Sequence, residues 1–211
     1  MGGSRKRQRL KSSDLVPGVE SVRLPQDGDC FYKAIIRAYA SSGLVASDEC
    51  REPAVEPRDS EVKRLRRCVS RRVDDGVFES FAMLHAAGLD DYAFMRRLPD
   101  AAALRTKLCV SGAESGMTRC VWANDFEITV LCEALGLTAL IVDEQARSGS
   151  RYVALPPQSS RGDEQRRAYV VLLRTERCHF NLGAFDDRSL FEGLAQVPEA
   201  VRELFSLPAV D

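Results

Sequence analysis

Histidine is almost absent: only His85 and His179 carry an imidazole in 211 residues. Any mechanism that needs a histidine base therefore has two candidates. The seven cysteines, Cys30, Cys50, Cys68, Cys109, Cys120, Cys132 and Cys178, are odd in number and contain no CxxC pair. That argues against a zinc site and against a dithiol redox motif. No apolar run approaches the roughly 20 residues a membrane span needs. No apolar stretch follows the basic start, so no secretion signal is expected, and the thiols are expected to be reduced, in the cytosol or nucleus. Neither sign of charge dominates, with 30 Lys and Arg against 31 Asp and Glu. The formal net charge of -1 gives no global reason to expect a nucleic-acid partner. What remains, 45% hydrophobic and 29% charged residues, is the profile of a soluble globular chain of one-domain length.

The pattern divides the chain into a disordered basic tail at 1–20, a domain at 21–190 and a helical extension of it at 191–211. The tail holds the cluster Arg5-Lys6-Arg7-Gln8-Arg9-Leu10-Lys11, a nuclear-localisation pattern or a solvated tail. Folded sequence is expected from about Val22. The turn Pro25-Gln26-Asp27-Gly28-Asp29 leads into a buried helix with Phe31, Ala34, Ile35, Ala38 and Tyr39 at helical spacing. A second helix, about 60–73, sets Val62, Leu65, Val69 and Val73 on one face; Arg64, Arg66, Arg67, Arg71 and Arg72 read as its wet face. Residues 77–98 read as helix broken at Gly88, and 110–118 as a loop. Trp122–Leu135 reads as helix ended by Gly136. Thr138–Val142 reads as a buried strand, 144–167 as a polar loop, Ala168–Leu173 as a second strand and Cys178–Phe185 as a third, paired with the second. A short helix from Val197 closes the chain, with Pro198 in its first turn. Helices first and strands last predict a mixed α/β domain with a small, mostly antiparallel sheet flanked by helices.

Cys30 stands where a Gly/Asp turn enters a helix. The free N–H groups and partial positive charge of a helix start lower a thiol's pKa. The same N–H groups, with those of the Asp27-Gly28-Asp29 turn, can hold an oxyanion, and Gly28 allows the close approach. His179 and Asn181 lie two apart on a strand and so face one side. Asn181 can accept from the imidazole and fix its tautomer, completing a nucleophile, base and orienter. Asp27 is the other candidate orienter, its simpler role being to hold the turn. His85, among small and apolar neighbours, reads as structural.

These segments resemble the ovarian tumour (OTU) family of cysteine peptidases. Asp27-Gly28-Asp29-Cys30-Phe31 resembles the family's nucleophile motif. Trp122-Ala123-Asn124-Asp125-Phe126-Glu127 resembles its Trp-led helix start, with Ala123 where glycine is usual. Cys178-His179-Phe180-Asn181 resembles its histidine motif. The resemblance implies a papain-like domain in which Cys30 attacks the carbonyl of ubiquitin's C-terminal glycine, His179 relays the proton and Asn181 orients it. The implied partner is ubiquitin or polyubiquitin, with no metal and no cofactor. Trp122 is a candidate to line the site near His179, against its reading as a core residue at a helix start. Asp125, Glu127, Asp186 and Asp187 are candidates for the arginines of ubiquitin's tail, against their reading as solvated carboxylates. The alternatives are a weakly catalytic ubiquitin-binding module on the same fold, which the presence of Cys30, His179 and Asn181 opposes, and a nucleic-acid-associated protein using the basic tail, which the charge balance opposes.

Overall fold

The computed structural model describes residues 12–42, 59–146, 151–156, 167–175 and 178–209. The basic run at 5–11, Cys50 and the loop at 44–58 lie outside them. The first half is helical: after α1 (Ser12–Leu15) and strand β1 (Glu20–Val22) come α2 (Cys30–Ser42), α3 (Asp59–Ser70), α4 (Asp75–Ala86), a 3-10 turn at Asp90–Met95, α5 (Ala101–Leu108) and α6 (Gly112–Ser115). Then follow α7 (Asp125–Leu135), β2 (Leu137–Asp143), β3 (Tyr152–Leu155), β4 (Ala168–Thr175), β5 (His179–Ala184), β6 (Leu190–Glu192) and α8 (Glu199–Leu204).

The two near-continuous apolar runs become β2 and β4, the centre of the sheet, paired in parallel with Leu140 opposite Val171. Strands buried on both faces must be apolar at every position, and the period of two divides them between two cores. Ala139, Ile141, Val170 and Leu172 face the core that holds α2, α3 and α7. Leu140, Val142, Val171 and Leu173 face the other, with Leu15, Val16, Val19, Phe191 and Val201. The remaining pairings are antiparallel, in the order β1-β5-β4-β2-β3, with β6 beside the start of β4. A third cluster, Val73, Phe81, Met95, Leu104, Leu108 and Val121, packs α4 and α5 together.

Local signals set the helix ends. Asn124 and Glu127 form a capping box at the start of α7, and Gly136 ends it in the left-handed region with φ 62°. Asp74 and Asp100 cap α4 and α5 through Val77 N–H and Ala103 N–H. Several elements depart from the sequence reading: α5 forms in a stretch with no expected element, α6 and β3 lie within segments read as loops, and β6 spans the start of the C-terminal extension.

The start of the folded chain is also earlier than Val22. Leu15, Val16 and Val19 are buried under the sheet, and β1 is the edge strand of β5. Removing residues 1–11 should leave the melting temperature unchanged. Removing 1–20 should cost on the order of 5 kcal/mol from three lost apolar side chains, a fall of about 10–20 °C at this chain length. Equal melts for the two truncations would mean that this strap adds nothing.

Candidate active site

Cys30 opens α2, one residue after the turn, and is 1% exposed. Gly28 turns the chain at φ +88°, and a side chain there would overlap Sγ of Cys120 beneath it. Glycine is thus required both by conformation and by space. The Cys30 sulfur accepts from Phe180 N–H at 3.3 Å and points at the Cys178 carbonyl, 3.8 Å away. These two residues flank His179, so the thiol lies against the backbone that carries the imidazole. Burial pushes the Cys30 thiol up to about 12; the N–H groups of Phe180 and Phe31 oppose the rise, and Asp27 and Cys178 add to it. The resting thiol is therefore protonated, contrary to the lowering expected from a helix start, because lost hydration outweighs the helix end.

His179 is buried opposite Thr175 in the β4–β5 ladder. Its Nε2 lies 3.1 Å from Asn181 Oδ1. The same oxygen accepts from Leu24 N–H at 3.1 Å. A main-chain N–H can only donate, so the Asn181 atom it meets must be the oxygen; that oxygen can then only accept from His179. Nε2 therefore carries a proton, and in the neutral ring the lone pair falls on Nδ1, which is buried without a hydrogen-bond partner among the described residues. Asn181, and not Asp27, touches His179. Asp27 accepts from Asp29 N–H at 3.0 Å, within its own turn, and pairs with Lys33 in the first turn of α2.

Two carboxylates and one arginine lie deeper than the sequence reading placed them. Asp29 and Arg66 are fully buried and paired, with Nε to Oδ1 at 2.8 Å. Arg66 is thus not on the wet face of α3. The helical period did signal this: Arg66 lies four residues after Val62 and three before Val69, inside the apolar stripe. For Asp29, burial works to raise the carboxyl, but Arg66, Ala113 N–H and the Ser111 hydroxyl outweigh it and hold the group below its usual range. Glu127 is also fully buried, its Oε2 accepting from Asn124 N–H at 2.9 Å, so it caps α7 and is closed to any substrate. An acidic residue three positions after an asparagine was the available signal.

Burial pushes the Glu127 carboxyl up from 4.5 to about 7, against the Asn124 N–H and Arg66. A folded-state pKa above the unfolded one gives stability that is full below about 4.5 and erodes as pH rises through about 7. Glu127→Gln keeps the cap acceptor and removes the titration. Its stability relative to the parent should rise by roughly 3 kcal/mol across that window and stay level outside it. Denaturant unfolding at a series of pH values checks this; a difference that ignores pH would refute it.

A cavity of about 530 Å³ is lined by Tyr92, Phe94, Trp122, Asp125, Arg174 and Cys178, among others. Cys178 puts one end of it beside the thiol. Trp122, half-buried, donates to the Met117 carbonyl and stands next to Gly28. Asp125 is exposed on the cavity wall, 3.8 Å from Arg174. Asp186 and Asp187 sit exposed in the turn after β5, with φ of 48° and 62°, and do not line the cavity. His85 is half-buried in the last turn of α4.

No protein-family model and no curated protein matches the sequence. Solved structures similar to this one include OTU domains. An ovarian tumour domain in complex with ubiquitin is 14% identical, with 91% of this chain and 90% of that chain covered and a TM-score of 0.49. The Hazara virus OTU bound to ubiquitin is 18% identical, with coverages of 79% and 80% and a TM-score of 0.41. The OTU domain of OTUD1 is 12% identical, with coverages of 79% and 85% and a TM-score of 0.44.

Proposed function

We propose that this chain is a thiol hydrolase that cleaves bonds at the C-terminus of ubiquitin. The observation that carries the chemistry is the chain of hydrogen bonds Leu24 N–H to Asn181 Oδ1 to His179 Nε2–H, which leaves Nδ1 as the candidate base, on the strand whose backbone meets the Cys30 sulfur. The choice of ubiquitin rests on the three motifs around Cys30, Trp122 and His179. In the reaction, Nδ1 takes the Cys30 proton as the sulfur attacks the carbonyl of ubiquitin's last glycine. The carbonyl electron pair moves to oxygen, where the N–H groups at the start of α2 receive it. Collapse of this intermediate expels the lysine amine, protonated by His179. Water, deprotonated by the same nitrogen, then releases the acyl group. Asn181 keeps the imidazole pointed and stabilises it when charged.

The resting thiol is protonated and directed at the Cys178 carbonyl, so substrate must turn it toward Nδ1. Alkylation of Cys30 by iodoacetamide in the free protein should be slower at pH 7 than that of an ordinary thiol and should climb well past the usual midpoint of about 8.5. A ubiquitin probe with a C-terminal electrophile should nevertheless label Cys30 at neutral pH, and Cys30→Ala should abolish labelling and cleavage of linkage-defined diubiquitins. Mass spectrometry finding the adduct on Cys178 or Cys132, or a parent chain inert toward every ubiquitin substrate, would overturn the proposal. Alkylation with a midpoint below 8.5 would show that the free thiol is already activated.

A further inference from the structure

The buried Arg66–Asp29 pair is weak evidence of a contribution to core stability. Two charges taken out of water lose several kcal/mol of hydration each, and apolar replacements of such pairs are often as stable. What the pair does is hold backbone. Arg66 donates to the carbonyls of Gly28 at 2.8 Å, Val121 at 3.1 Å and Leu108 at 3.2 Å. Its guanidinium also lies over the Tyr32 ring, 4.5 Å from the centroid. Asp29 in turn accepts from the Ser111 hydroxyl at 2.8 Å and from Ala113 N–H at 2.9 Å. The two side chains therefore tie the thiol turn to the end of α5, the start of α6 and the segment before Trp122. Gly112 presses on the same turn so closely that a side chain there would overlap the Asp27 carbonyl.

The key contact is the one to Gly28. An amide is planar, and its C=O and N–H point in opposite directions. Fixing the Gly28 carbonyl inward on Arg66 fixes the plane of the Gly28–Asp29 peptide, and with it the direction in which the chain enters α2. The N–H of that peptide is taken by Asp27 Oδ1; the N–H groups that follow it, at the start of α2, are the ones available to an oxyanion. We propose that Arg66 and Asp29 are positioning residues for oxyanion stabilisation: they hold the thiol turn in the geometry that receives the negative oxygen, without touching substrate. The inference rests on the thiol site proposed above and not on its substrate.

Two reagents separate this role from a structural one. p-Nitrophenyl acetate acylates a thiol by attack at a carbonyl: the C–S bond forms, the π pair moves to oxygen, and collapse breaks the C–O bond and releases p-nitrophenolate, while the thiol proton passes to His179. Iodoacetamide alkylates by displacing iodide at a saturated carbon, with no oxyanion. The ratio of the two rates at Cys30, followed by mass spectrometry, isolates oxyanion stabilisation and needs no ubiquitin.

In the double variant Arg66→Met/Asp29→Asn, which leaves no uncompensated charge, the acylation-to-alkylation ratio should fall about 10- to 100-fold with the circular dichroism spectrum unchanged. Arg66→Lys keeps the charge but not the planar fork, and should not restore the ratio. An unchanged ratio in a folded double variant, or full rescue by lysine, would overturn the inference. Should the double variant fail to fold, Ser111→Ala removes a single donor to Asp29 and gives the same comparison: a several-fold lower ratio supports positioning, and an unchanged one refutes it. A parent chain that does not cleave ubiquitin conjugates would overturn the substrate reading alone.

Discussion

Asn181→Ala is expected to lower kcat on ubiquitin substrates by roughly 10- to 100-fold with KM little changed, a fraction of the 10²–10⁴ that a positioned base supplies. The alanine removes the oxygen that both Leu24 N–H and His179 Nε2 meet. The imidazole then loses its orientation and its preference for a proton on Nε2, while the thiol and ring remain. The loss should be smaller than that of Cys30→Ala, which removes the nucleophile. Asn181→Asp should retain most activity, because a carboxylate accepts both hydrogen bonds and steadies the imidazolium. Asp27→Ala should act differently, since that side chain holds only its own turn and Lys33. The comparison is kcat and KM for the three variants, with folding followed by circular dichroism. A silent Asn181→Ala beside a nearly inactive, fully folded Asp27→Ala would reverse the two roles.

Gly112→Ala is expected to damage both stability and activity. The added carbon would overlap the Asp27 carbonyl oxygen and lie 2.8 Å from its carbon and 2.9 Å from Cys120 Sγ. The obstacle is backbone, so relief requires the thiol turn itself to move. Overpacking of this kind costs about 1–3 kcal/mol, a melting decrease of several degrees at this length. Displacing catalytic groups by about 1 Å costs on the order of 10²-fold in rate. Gly76→Ala provides the control. Its nearest neighbour would be Asp74 Oδ1 at 3.4 Å, in the first turn of α4, and alanine favours helix. That variant should melt at or slightly above the parent temperature with full activity. Equal behaviour of the two would mean that the turn can yield at Gly112 without consequence.

The sequence revealed elements whose signals are local. The apolar runs of β2 and β4, the helical spacing after Cys30 and the glycine stop at Gly136 each carry their own evidence. The four residues of β3, half-buried inside a polar loop, carry almost none. The same divide runs through the site. Cys30 and the alternation of His179 with Asn181 are legible from a few neighbouring residues. The Asp29–Arg66 pair is not, because it joins residues 37 apart and gains meaning only when α3 docks on the turn. A charge inside an apolar stripe is the usual trace of such a partner, and Arg66 shows it. The upward push that burial gives the Cys30 thiol is hidden from the sequence for a related reason. A helix start can be read from sequence, whereas the loss of water around the thiol depends on β5 closing over it.

The oxygen of Asn181 shared by Leu24 and His179 has a consequence for assembly. Leu24 lies 157 positions before Asn181, in the segment that follows the edge strand β1. The imidazole therefore acquires its protonation pattern from the opposite end of the polypeptide. A partly folded chain in which that edge has not yet annealed would hold a histidine free to choose either tautomer, beside a thiol with no committed proton acceptor. The hydrolysis proposed above would thus be contingent on the β1 edge of the sheet being closed, and incomplete molecules would carry the parts of the site without its chemistry.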